Sequence, residues 1–173
     1  ALEQYQHKLK CLPENGTLRL KNMELPDEVV VLLSQALEST HFRSVDLSDN
    51  LFIDTPFVLD HFQNNRIMQE LYLNGNLMSM QDITRLCNIV KEHPSINILG
   101  LGNCLEAEVN GYKVLQKVMT AGAKKLRDIN FCGNLIRTGG DTFISDFIRS
   151  NDSKLDTLRL GDNFIDNDDA INI

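Results

Sequence analysis

"VDLSDNLFID", residues 45–54, is the stretch that decides the fold. Val45 and Leu47 stand two apart with polar residues beside them. That alternation puts both apolar side chains on one face of a short strand. Asn50 follows, and an Asn side chain carries two donors and an acceptor, enough to satisfy backbone groups where the chain turns out of the strand. The same shape returns as "LYLNGNLMS" (71–79), "LGLGNCLEA" (99–107), "INFCGNLIR" (129–137) and "LRLGDNFID" (158–166).

Aligned on the template L-x-x-L-x-L-x-x-N-x-L, the first position falls at Asn15, Phe42, Met68, Ile96, Leu126 and Leu155, a period of 26 to 30 residues. The fourth position holds Leu18, Val45, Leu71, Leu99, Ile129 and Leu158. The sixth holds Leu20, Leu47, Leu73, Leu101, Phe131 and Leu160, so both sites are apolar in every unit. The ninth holds Met23, Asn50, Asn76, Cys104, Asn134 and Asn163. In a stack of such units, Asn50, Asn76, Asn134 and Asn163 are expected to form a structural ladder, with Met23 and Cys104 as its irregular members.

Helical stripes lie between the strands. Val29, Leu32, Leu33, Ala36 and Leu37 share one face behind Pro26 and Asp27, and Thr55-Pro56 opens a helix carrying Phe57, Val58 and Phe62. Ile83, Leu86, Cys87 and Val90 form a third stripe that ends before Pro94. Tyr112, Leu115, Val118 and Met119 form the fourth, and Phe143, Ile144, Phe147 and Ile148 the fifth. Gly139-Gly140 turns the chain into this last helix, which starts near Asp141 or Thr142.

The pattern resembles the leucine-rich repeat family, and its long period, with Asn or Cys at the ninth position, is similar to the ribonuclease-inhibitor-like subtype. The resemblance implies an α/β leucine-rich repeat solenoid, curved, with parallel strands on the concave side and helices on the convex side. The expected organisation is a capping helix over residues 1–12 and about six repeats over 13–173, the last incomplete, in a single domain. The sixth repeat stops at "DNDDAINI", where earlier repeats begin a helix, so further repeats, a cap or a contact is expected to cover that C-terminal edge.

Composition narrows the chemistry. The chain has 173 residues, 24% of them charged, and a net charge of −7, without the basic stripe that direct nucleic-acid binding requires. No apolar run is long enough to span a bilayer, so no membrane contact is expected. Four cysteines at 11, 87, 104 and 132 form no C-x-x-C pair and imply a reduced, intracellular setting, cytoplasmic or nuclear. The sequons at Asn15 and Asn151 are then chance matches. The histidines at 7, 41, 61 and 93 are scattered and read as surface groups. "RTGGDTF" lacks phosphate-loop spacing, and "DNFIDNDDA" lacks the Gly and Glu of a calcium loop. No metal, no cofactor and no catalytic residue is expected.

What remains is the concave face. Arg19, Lys21 and Arg43 form a basic patch followed by Asp46 and Asp49, with Arg159 at the far end. The middle carries Tyr72, Asn74, an exposed Ile98 and Asn130, with Gly100 beside the tyrosine. A tyrosine among small residues and an exposed apolar group is the composition of an interface anchor. The expected function is a protein–protein interaction module, a scaffold or recognition domain of a larger protein, binding a protein partner through the concave face or its rims. The alternative is a GTPase-activating protein resembling the Ran-specific activators, which share this repeat and act through loops and rim residues.

Overall fold

A computed structural model describes residues 16–23, 27–39, 41–50, 55–150 and 152–165, together with Glu3 and His7. Eleven elements alternate along it: β1 (Thr17–Arg19), α1 (Asp27–Ser39), β2 (Ser44–Asp46), α2 (Thr55–Asn64), β3 (Glu70–Tyr72), α3 (Met80–Glu92), β4 (Ile98–Gly100), α4 (Gly111–Gly122), β5 (Asp128–Asn130), α5 (Phe143–Arg149) and β6 (Thr157–Arg159). The strands form one six-stranded sheet in the order β1-β2-β3-β4-β5-β6. Every pair is parallel, with Leu18, Val45, Leu71, Leu99, Ile129 and Leu158 in one row of the register. The protein is thus α/β, each strand returning to its neighbour through a helix where one is described. Most of the expected capping helix lies outside the described residues; Glu3 and His7 are helical and exposed. Residues 166–173 also lie outside them.

Alternation sets which face is covered. The central residue of β1 to β5 is buried while its neighbours are mostly half-buried or exposed, so one sheet face is roofed by helices and the other is open. The core between sheet and helices takes the sixth-position residues and the helical stripes Val29/Leu33, Val58/Phe62, Ile83/Leu86/Val90 and Leu115/Val118/Met119. Leu158 and Leu160 of the last unit are only partly buried. The fifth stripe departs from expectation. α5 buries Ile144 and Ser145 and leaves Ile148 46% exposed, because Phe143 and Phe147 lean together and take the available contact.

Each strand leaves the sheet through a residue in the left-handed region. Asn22, Asp49, Gly75, Asn103, Gly133 and Asp162 all occupy template position eight, with φ between 50° and 72°. Asn, Asp and Gly are the residues that adopt this conformation at least cost. Behind the turn runs the ladder. Asn50 Nδ2 donates to the carbonyls of Leu20 (2.9 Å) and Leu47 (2.8 Å), and its Oδ1 accepts from Met23 N (3.0 Å). Asn134 and Asn163 repeat the motif, and Cys104 stands in with its thiol directed at Leu73 O, 2.9 Å away.

His93 was expected at the surface and is 1% exposed instead. It closes α3: Nδ1 accepts from the N–H groups of Ser95 (3.3 Å) and Ile96 (3.2 Å), which leaves Nε2 to donate to Asn65 O. Burial first, then the nearby Arg66 and Lys125 cations, hold its pKa below the ordinary 6.5, against the raising effect of the Asn65 bond. A lowered folded-state pKa means that the unfolded chain binds the proton more readily. The stabilisation is therefore complete above about 6.5 and is lost as pH falls through the lowered value. His93→Gln should flatten the dependence of melting temperature on pH in that window; an unchanged slope would refute the assignment.

Candidate functional site

The open face of the sheet is built from template positions three, five and seven. Its two ends are charged and internally paired. Arg19 lies beside Asp46 in register, and Lys21 Nζ is 3.3 Å from Asp49 Oδ2. Both members of the second pair are about half exposed, so the contact contributes little to stability but offsets the Lys21 charge within the basic patch. Arg43 is exposed, and Arg159, also exposed, pairs with Asp128.

The middle of the face is more tightly knit than expected. Asn74 Oδ1 accepts from Gly102 N (2.7 Å) and Asn130 Nδ2 (3.2 Å), while Asn74 Nδ2 donates to Ser48 Oγ (3.3 Å). Asn130 Oδ1 in turn accepts from Cys132 N (3.1 Å). These amides tie four neighbouring units together, from Ser48 to Asn130, across Gly100 and Gly102. Gly100 is there for the same reason: a Cβ on it would stand 2.7 Å from Asn74 Nδ2 and 3.0 Å from Tyr72 Cδ1. The tyrosine therefore lies down toward Gly100 rather than standing into solvent. Its hydroxyl donates to Glu70 Oε2 (3.3 Å), and burial followed by the Glu70 charge raises its pKa. Ile98, expected to be exposed, is half-buried, because its register neighbours Glu70 and Asp128 flank it on both sides.

Two of the described cysteines are buried. Burial pushes the Cys104 thiol up to about 12 and the Cys87 thiol up to about 11, so both stay protonated at neutral pH. Protonation is what Cys104 needs to donate within the ladder. Cys87, Cys104 and Cys132 are free thiols. Among the described residues no cluster of three or more His, Cys, Asp or Glu could hold a metal, and no helix is long and apolar enough to cross a membrane.

The apolar surface that is exposed lies elsewhere. Leu77 is 58% exposed, Leu135 and Phe164 51% each, and Met80 38%. Leu77, Leu135 and Phe164 share template position ten with the half-buried Leu105, on the rim where strands give way to helices. The signal was present in the sequence, since position ten is apolar in each unit from Leu51 to Phe164. A template read for inward-facing residues passes over it. No family model and no curated protein matches the chain.

Proposed function

We propose that the chain is a leucine-rich repeat solenoid of the ribonuclease-inhibitor-like subtype that acts, without catalysis, as a protein-interaction module of a larger intracellular protein. The observation that carries this reading is the register. Six parallel strands align their outward side chains in rows, so the open face presents Asp46, Tyr72, Gly100, Asn130 and Arg159 side by side. A row that changes chemistry at each step, on a backbone that does not, suits recognition of an extended protein surface. The Cys104 thiol and the buried imidazole support a non-enzymatic role, because each is engaged in holding a turn or a helix end.

The test is partner affinity after capture on the immobilised protein. Tyr72→Ala is expected to weaken binding by about 2 kcal/mol, roughly 30-fold, as truncation of an interface anchor does. Ile98→Ser should follow with a smaller loss, since that side chain is flanked by carboxylates. Lys117→Ala on the helical side should leave affinity unchanged. Equal, negligible losses in all three would sink the concave-face assignment. Accelerated GTP hydrolysis by a purified Ran-type GTPase would replace the reading with the activating one.

A further inference from the structure

We propose that the rim formed by Leu77, Leu105, Leu135 and Phe164 docks a basic amphipathic helix of a protein partner. The proposal rests on the interaction-module reading and names the surface and the chemistry of what it takes.

Four observations carry it. First, the row is continuous. Met78 N donates to Cys104 O (2.7 Å), Cys104 N to Asn134 Oδ1 (2.9 Å) and Phe164 N to Ile136 O (3.0 Å), so the turns that carry successive rim residues are linked from unit to unit. Second, the exposed side chains lie outside the core. Three of the four project more than half their surface into solvent, whereas position eleven beside them supplies the buried Met78 and Ile136. Exposed apolar groups are ordinary singly, but a row at one register position marks a contact surface. Leu135 also holds a left-handed backbone with φ 56°, a conformation that a leucine adopts only at a cost.

Third, the charges beside the row select the partner. Glu106, Glu108 and Asp162 are exposed along this rim, as is Asp49, which Lys21 already pairs, with Arg137 and Lys113 as the other cations. Arg137 is stacked over the Phe164 ring at 4.6 Å. An excess of carboxylates beside an apolar stripe matches lysine or arginine beside leucine. It repels an anionic membrane surface and a second copy of the same rim. Nor is the rim free to take anions at its helix starts. Ser79 and Asp82 form a capping box on α3, Asn110 accepts from Lys113 N, and Asp141 accepts from Phe143 N. Fourth, the pitch fits. The strands beside the rim repeat at about 4.8 Å, close to the roughly 5.4 Å turn of a helix, so a helix laid across the units can set residues i, i+4 and i+7 against successive ones.

The experiment uses three synthetic 14-residue peptides and fluorescence anisotropy. One carries leucines at helical spacing with lysines elsewhere; the second replaces lysine by glutamate; the third scrambles the first so that no stripe forms. The wild type is expected to bind the striped lysine peptide at least tenfold more tightly than either other. Leu77→Ser/Leu135→Ser/Phe164→Ser should lose that binding at least tenfold while melting within a few degrees of wild type. Glu106→Gln/Glu108→Gln, which leaves the apolar row intact, should lose it several-fold and more strongly at low salt, and this variant decides the matter if the triple variant does not fold. Tyr72→Ala should bind the peptide as wild type does. Equal binding of the scrambled peptide, or full binding by the charge variant, would overturn the proposal. So would light scattering that shows a wild-type dimer abolished by the triple variant. Partner capture through the open face tests the module reading separately, so failure at the rim leaves it standing.

Discussion

Asn76→Ala should lower the unfolding free energy by about 3 kcal/mol or more. The side chain is 1% exposed, and three backbone groups depend on it. Its Nδ2 donates to the carbonyls of Leu47 (2.9 Å) and Leu73 (3.0 Å), and its Oδ1 accepts from Asn50 N (3.2 Å). Alanine leaves Asn50 N buried without its partner, at roughly 1–3 kcal/mol, and takes one donor from each carbonyl, at about 0.5–1.5 kcal/mol apiece, although Leu47 O keeps Asn50 Nδ2 and Leu73 O keeps Cys104 Sγ. With ~2–4 °C per kcal/mol for a domain of this size, the melting temperature should fall by about 6–12 °C. Two companion variants separate hydrogen bonding from packing. Asn76→Asp keeps the shape but sets an acceptor against two carbonyls, so it should be at least as damaging. Asn76→Cys keeps one donor, as Cys104 does toward Leu73 O, and should be the mildest of the three. A melting temperature for Asn76→Ala within 2 °C of wild type would show that the ladder does not hold the turns.

The rows that face inward were legible because burial writes two periods into the sequence at once. Alternation places Val45 and Leu47 on one face, and the longer period stacks them on Leu71 and Leu73. Neither period reports on the open face. There a side chain's exposure depends on the residue one unit away: Tyr72 lies low because position 100 is glycine, and Ile98 is covered because Glu70 and Asp128 flank it. The burial of His93 is hidden from the sequence for a related reason. Its burial depends on two loop N–H groups and a carbonyl from the preceding unit, none of which composition reveals. The left-handed turn was written plainly at position eight, where every unit has Asn, Asp or Gly. Ile148 shows the opposite limit. Helical spacing nominated it, but α5 is only seven residues long and its phenylalanines take the contact.

Gly111→Ala should destabilise the protein, although helix propensity alone calls for the reverse. Gly111 is the first residue of α4, and alanine is the better helix former, by up to about 1 kcal/mol in a helix interior. A Cβ on it, however, would sit 2.2 Å from the carbonyl oxygen of Asn134 and 3.4 Å from Ile136 Cγ1. That carbonyl cannot easily retreat. Asn134 N is bonded to Asn163 Oδ1 (2.9 Å), and Asn134 Nδ2 is bonded to Leu101 O (2.7 Å) and Phe131 O (3.3 Å). Relief requires α4 to move from its neighbour or the ladder to break, an overpacking cost of about 1–3 kcal/mol beyond the propensity gain. Gly139 supplies the contrast. Its φ is 61° and nothing lies within 4 Å of a built Cβ, so Gly139→Ala carries only the left-handed penalty of about 1–2 kcal/mol. Asparagine tolerates that backbone, so Gly139→Asn should recover most of the loss, whereas Gly111→Asn should be worse than Gly111→Ala because the obstacle is space. Urea melts of the four variants read this directly. If Gly111→Ala matches or exceeds wild-type stability, the close approach of α4 to the Asn134 turn is not what fixes that glycine.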